Sequence, residues 1–229
     1  MKAKAKIILF ALFVGLIMFV ANFEDSLYLI EDNTVYFNTS EISDYEKGAL
    51  VEGDIYYPVG LMLTLEEQTS FLFIPTGNVK TFYYLVCNVG HDRYDRYMNS
   101  EDEELNEFYA IFSTSDEQLA DKIDSLSNAW QYFYEKYENG EDVEYPSNEI
   151  SFQGKLEEQP NDEEYKKIRD HCFEEWGFSP SEVATYRIAE GKVGVSRLIL
   201  AILSIVLIIG SLILLPRALS GREDSKTEK

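Results

Sequence analysis

Basic residues are scarce in this chain of 229. Twenty lysines and arginines stand against 41 aspartates and glutamates, for a net charge of −21. Residues 22–192 are more one-sided still, with 38 acidic against 12 basic side chains, net −26. Charge of that sign is repelled by a phosphate backbone, so nucleic acid is excluded as a partner. An anionic bilayer surface would repel this segment too. Histidine and cysteine are almost missing, two of each, and neither cysteine sits in a CxxC pair. A structural zinc site takes four such ligands, so that class is set aside. No G-x-S-x-G, HExxH or Walker-type loop occurs. No catalytic residue and no cofactor is therefore assigned from motifs.

What is present in quantity is apolar sequence at both ends. Ile7 to Ala21 runs without a polar residue, and Leu198 to Leu215 is broken only by Ser204 and Ser211. At 1.5 Å per residue the second run covers about 27 Å, close to the roughly 30 Å of a hydrocarbon core. The first is shorter, about 22 Å as a helix. Ala3 to Lys6 can lengthen it while the lysines snorkel outward. A cleaved signal peptide is the rival reading. Cleavage wants small residues at −3 and −1, and cutting after Ala21 or Asn22 puts Phe19 at −3 or Asn22 at −1. An uncleaved anchor is preferred. Lys2, Lys4 and Lys6 precede the first run, and no basic residue follows it until Lys47. By the positive-inside rule the N-terminus is cytoplasmic, and two spans return the C-terminus to the same side.

The expected layout is thus an N-terminal anchor over 1–23, an acidic extracytoplasmic domain over 24–192, a second span over 193–216 and a polar cytoplasmic tail over 217–229. The middle is no disordered linker, because it holds both tryptophans and all sixteen tyrosines. Some 170 residues suffice for one domain with a real core. Cys87 and Cys172 both lie there. A disulfide between them would close a long loop and add about 4–5 kcal/mol in the chain-entropy model. Two buried apolar thiols are the preferred reading, since each sits in an apolar-patterned segment.

Periodicity orders the middle into strands and helices. Gly48 to Tyr57 reads as a strand with a bend at Gly53. Leu61, Leu63 and Leu65 continue it past Pro58. Phe71 to Ile74 is another apolar run, closed by a turn signal at Pro75-Thr-Gly-Asn78. Thr81 to Val89 is the strongest strand, Gly90 to Asn106 an acidic loop, and Glu107 to Thr114 a further strand. A helix follows, with Ser115 and Gln118 as capping box and Leu119, Ile123, Leu126, Trp130, Phe133 and Tyr137 on one face. Asn139-Gly140 stops it. Ile150, Phe152 and Leu156 mark a strand containing Gly154. A second amphipathic helix carries Tyr165, Ile168, Cys172 and Trp176, and Val183 to Ala189 suggests a last strand. The fold class is α+β, antiparallel, with two amphipathic helices between two transmembrane helices. Strands, helix, strand, helix, strand is also the chain order of an OB-like Greek-key barrel, the finer expectation.

Val51-Glu-Gly-Asp-Ile-Tyr-Tyr57, Tyr83-Tyr-Leu-Val86, the helix around Ala129-Trp130, and Ile150-Ser-Phe-Gln-Gly-Lys155 carry a resemblance. They resemble an uncharacterised family of small membrane proteins from clostridial-type Gram-positive bacteria, with one span at each end. The resemblance covers most of the chain and implies a two-span layout in a bacterial envelope. It implies no activity and no functional residue. The acidic stretch at 91–106 departs from the family pattern.

That stretch holds the only metal candidates: Asp92, Asp95, Glu101, Asp102, Glu103 and Glu104 could offer oxygens to Ca²⁺. They lack the alternating register of a calcium loop, so a solvated loop with local Asp–Arg pairs is the simpler reading. The aromatic stretches near Phe82-Tyr-Tyr84 and Trp130-Gln-Tyr-Phe-Tyr134 read as core first and as groove lining second. The favoured function is a membrane-anchored binding or accessory module, partnered by the bilayer and by an envelope protein or peptide. The alternative is an envelope hydrolase using carboxylates or His91 as base.

Overall fold

A computed structural model describes residues 3–31, 34–71, 74–99, 107–191 and 195–220. The chain forms two compact units, one from Met1–Asn33 with Val193–Lys229 and one from Thr34–Lys192.

The first unit is a pair of helices, α1 (Ala3–Glu31) and α5 (Val195–Ser220). Within them Lys4–Phe23 and Leu198–Leu219 are long and apolar enough to cross a membrane. They pack on each other along a seam in which small or polar residues alternate with large apolar ones. The inward positions of α1 are Ala5, Ile8, Leu12, Gly15, Phe19, Asn22 and Ser26, at alternating spacings of three and four. Those of α5 are Ala201, Ser204, Ile208, Ser211, Leu215 and Ala218, at the same spacings. This is the heptad seam of a left-handed helix pair. At Gly15 a Cβ would stand 3.1 Å from Ile208 Cγ1 and 3.3 Å from the Ser204 carbonyl, so a larger residue would press the helices apart by a few tenths of an ångström. The seam's polar side chains bond to their own helices: Asn22 Nδ2 to the Met18 carbonyl at 2.7 Å, Ser26 Oγ to Asn22 at 2.6 Å, and Ser204 Oγ to Ala201 at 2.6 Å. The large apolar side chains face outward, with Phe10 68%, Val20 75% and Val206 61% exposed. Both helices overrun the boundaries read from the sequence. α1 continues past the apolar run to Glu31, and α5 passes through Pro216 to Ser220. The rest of the predicted tail lies outside the described residues.

The second unit holds one seven-stranded sheet. Its strands are β1 (Thr34–Tyr36), β2 (Leu50–Ile55), β3 (Tyr57–Phe71), β4 (Ile74–Cys87), β5 (Tyr109–Thr114), β6 (Ile150–Glu157) and β7 (Arg187–Glu190). Its helices are α2 (His91–Met98), α3 (Glu117–Glu138) and α4 (Glu163–Trp176). The strand order is β1-β2-β6-β7-β5-β4-β3. The sheet is mixed where the sequence suggested antiparallel throughout, because β1 pairs parallel with β2 and β5 parallel with β7. It is also open: β1 and β3 are its edges, and no ladder closes it into a barrel among the described residues. The reason is local. β2 and β3 are one run of chain separated by Tyr56 alone, so the seam that would close the barrel is a bend in a single strand.

The sheet nevertheless curls. Val51 of β2, Tyr84 and Val86 of β4, Phe112 of β5, Leu156 of β6 and Ile188 of β7 share one buried cluster, though β2 and β4 stand three strands apart. Ala120 and Ile123 of α3 cap it. The opposite face of β4 and β5 carries Tyr83, Leu85, Cys87 and Ile111 beneath Tyr165, Cys172 and Phe173 of α4. Hence β5 is buried at every position, apolar from Tyr109 to Phe112 and ending in the buried hydroxyls of Ser113 and Thr114. The glycine inside β6 serves close packing: at Gly154 a Cβ would come within 2.7 Å of the Ala189 carbonyl. Edge strand β3 is irregular, with register shifts between Pro58 and Gly60 and between Leu61 and Leu63. Bulges and an edge proline discourage pairing with another sheet.

Four local expectations change. The α3 cap is Asp116, whose side chain accepts from the backbone N–H of Gln118 and Leu119, one residue beyond Ser115. Pro75 to Asn78 lies inside β4 and makes no turn. Residues 91–98 of the predicted acidic loop are helical. β1 had no counterpart in the periodic pattern. Cys87 and Cys172 are both buried free thiols. Desolvation raises both, that of Cys87 to about 12, so they stay protonated at neutral pH.

Candidate functional site

A concave surface of the sheet domain surrounds α2. Gly90, the N-cap of that helix, has no side chain to satisfy the first free amide. Glu149 does so from β6's approach: its Oε1 accepts from His91 N at 2.6 Å. Asn38 ties the strands beneath. Its Nδ2 donates to the carbonyls of Asp54 (2.9 Å) and Asn88 (3.2 Å), and its Oδ1 accepts from Asp54 N at 2.8 Å. These bonds fix the end of β1, the end of β2 and the exit of β4 against one another.

Under α2 lies an aromatic floor centred on Tyr56, at the β2–β3 bend. The Trp130 indole N–H donates to the Tyr56 carbonyl at 2.7 Å, and the Tyr56 hydroxyl donates to the Pro146 carbonyl at 2.7 Å. The Tyr56 ring meets His91 edge-on at 5.2 Å and Trp130 at 5.1 Å. Tyr94 of α2 packs on Trp130 at 5.1 Å and on Tyr145 at 5.3 Å. Edge-to-face contacts of this kind are the favoured arrangement of aromatic quadrupoles. Burial is the main cause holding the phenols of Tyr56, Tyr94 and Tyr134 above the usual tyrosine range. At Tyr145 the main cause is the hydroxyl's hydrogen bond to Asp95.

Two open hollows flank α2 and share His91 and Asp95. One, of about 890 Å³, is polar and is lined by Asn38, Asp54, Arg93, Arg96 and Glu149. The other, of about 520 Å³, is aromatic and is lined by Met98, Phe133, Tyr137, Glu144 and Tyr145.

The predicted site residues divide among these surfaces. Asp92 and Asp95 lie on α2, while Glu101, Asp102, Glu103 and Glu104 lie outside the described residues. No group of three or more His, Cys, Asp and Glu side chains is arranged around a metal position among the described residues. His91 Nδ1 stands 3.8 Å from Asp92 Oδ1, too far for a hydrogen bond, and the Asp92 side chain is fully exposed. Two other carboxylates of the polar hollow already accept bonds from the fold, Asp54 from Ser151 Oγ and Glu149 from His91 N. His91 is not joined there to a nucleophile or an orienting acid, as a base-catalysed hydrolysis would require.

Of the aromatic stretches, Tyr83, Tyr84, Trp130 and Phe133 are buried core. The groove walls, Tyr137 and Tyr145, escaped notice for different reasons. Tyr137 extends the apolar face of α3 and reads as core, yet it is 59% exposed. Tyr145 sits in a stretch without regular structure, where only an aromatic residue before Pro146 in an acidic run marked it. Comparison with family models, with curated proteins and with solved structures finds no match for this chain.

Proposed function

We propose that this protein is a membrane-tethered binding module. α1 and α5 cross the bilayer, both termini are cytoplasmic, and the acidic sheet domain is displayed on the outer side of a cell envelope to engage a protein or peptide partner. The observation that carries the reading is that the helix pair turns Gly15, Asn22, Ser204 and Ser211 inward among its seam residues while Phe10, Val20 and Val206 stand exposed. Lipid accepts that arrangement, whereas water penalises it. The fit of α1 to α5 along a full heptad seam also favours an anchor that is kept over a leader that is removed. Thr34, Leu50, Lys155 and Ala189 stand on one row of the sheet, so the domain begins and ends three strand spacings apart, roughly 14 Å. Such a domain is suited to tethering through both ends.

A bent strand (β2 with β3), followed by β4, β5, a capping helix, β6 and β7, with β5 parallel to β7, is the order of an OB-like, partly open Greek key. OB-folds use the face of their second and third strands for ligands. Here α4 covers the corresponding face of β4 and β5, which leaves the hollows beside α2 as the accessible concave surface.

Protease added to sealed cells tests the placement. Digestion of the sheet domain with survival of two membrane-embedded fragments is expected. A domain cut only after lysis overturns the topology, and release of the intact chain by alkaline washing without detergent overturns the anchoring.

A further inference from the structure

We infer that the aromatic hollow beside α2 receives a cationic side chain, the guanidinium or ammonium group of an arginine or lysine on a partner polypeptide. The inference rests on the binding-module reading and names the chemistry of its ligand. The rings of Phe133 and Tyr137 lie stacked, 26° apart in plane and 5.7 Å between centroids, and Tyr145 stands edge-on to Phe133 at 6.2 Å. Tyr137 offers an exposed ring, and Met98 closes the hollow with a polarisable thioether that is 39% exposed. At the rim stand two carboxylates, Asp95 and Glu144. Asp95 Oδ1 accepts the Tyr145 hydroxyl, which fixes the carboxylate against the aromatic wall. Neither Asp95 nor Glu144 has a lysine or arginine within ion-pair distance among the described residues.

Aromatic faces plus fixed negative charge are the chemistry of cation–π recognition, strongest where water is partly excluded. Other ligands fit less well. A hard metal ion wants several oxygens, and these walls are rings and a thioether. A purely apolar segment would cover two carboxylates without pairing them. An anion would meet Asp95, Glu144 and the charge of the whole domain. That domain charge draws basic partners toward the surface and accelerates encounter.

The test uses the full chain in lipid nanodiscs with ¹³C-labelled methionine methyl groups. The chain has four methionines; Met98 lines the hollow, while Met62 lies in the core under α4 and serves as reference. Titration with acetyl-Gly-Arg-Gly-amide should move the Met98 signal saturably and leave Met62 in place. Acetyl-Gly-Gln-Gly-amide should move neither. Tyr137→Ala and Glu144→Gln alter exposed side chains, and each should raise Kd about three-fold or more. Equal responses to the two peptides, or an arginine response that neither variant weakens, overturn the inference. A photo-reactive phenylalanine analogue in place of Ser147 separates this failure from failure of the parent reading. Cross-linking to a partner polypeptide in intact cells without arginine binding overturns the cationic assignment alone. Absence of both overturns the binding module as well.

Discussion

The two units of this protein solve opposite packing problems. In the helix pair the inside includes small and polar residues (Gly15, Asn22, Ser204, Ser211) and the outside is Phe, Ile, Leu and Val. In the sheet domain the inside is Phe112, Ile188, Leu156 and Trp130, and the outside is dominated by carboxylates. Water drives the second arrangement, since each large apolar side chain buried stabilises the fold by about 1.5–3 kcal/mol. In the bilayer proposed for the first, it would be absent, and close backbone approach at Gly15 would take its place. Each unit should therefore fail under a different insult.

The widest gap should open at high pH. Burial leads the causes that raise the phenols of Tyr45, Tyr84, Tyr109 and Tyr165, as at Tyr56, Tyr94 and Tyr134. An unfolded tyrosine ionises near pH 10. The folded domain therefore keeps the full contribution of its neutral phenols below about pH 10 and loses it as pH climbs toward the raised values. The two candidate spans contain no tyrosine. Near-ultraviolet dichroism and tyrosinate absorbance should report cooperative loss of the domain well above pH 10, while helical ellipticity from α1 and α5 persists. Simultaneous loss of both signals would break the contrast.

Trp130→Ala should come next. It removes the ring around which Tyr56, Tyr57, Tyr94 and Phe133 are arranged, and the indole N–H that donates to the Tyr56 carbonyl. A loss of about 3–5 kcal/mol is expected from urea melts of the domain, with membrane association untouched.

Val206→Glu makes the converse cut. Val206 is 61% exposed, and at such a position a soluble protein would register less than about 0.5 kcal/mol. A carboxylate near the middle of a span costs about 2.5–3.5 kcal/mol. The fraction of chain resisting alkaline extraction should therefore fall. Tyr132→Glu on α3, at a position 56% exposed, supplies the control and should leave both anchoring and domain melts near their starting values.

How much of this was legible beforehand follows the range of the interactions involved. The apolar runs, the α3 face through Trp130 and Phe133, and the α4 face through Tyr165 and Cys172 depend on neighbours three or four residues apart. Periodicity displays those directly. β1 is only three residues long and depends on its partner β2, whereas the last strand expected over Val183 to Ala189 forms as β7. The parallel pairing of β5 with β7 has no local signature. α2 has a loop-like sequence because His91 to Met98 is almost all charged or tyrosine, and its cap arrives from Glu149, 58 residues away. The hollows beside it inherit that obscurity. Asp95 was visible as an acidic residue, but its companions Tyr137, Glu144 and Tyr145 come from the end of α3 and an irregular segment.

Glu149→Gln tests that long-range cap and should give the smallest effect. The amide oxygen of glutamine can still accept from His91 N, but the negative charge at the start of α2 is lost. Charge at a helix N-terminus contributes about 0.3–1 kcal/mol. The domain should melt only slightly earlier, whereas α2 should open more often than the sheet around it. Hydrogen exchange at residues 92–95 should accelerate about two- to five-fold, in line with that energy, while β5 amides stay protected. Unchanged exchange would mean that α2 is held by Tyr94 against Trp130 and by Tyr145 against Asp95 alone. The aromatic floor, and not the cap, would then be what shapes the hollow.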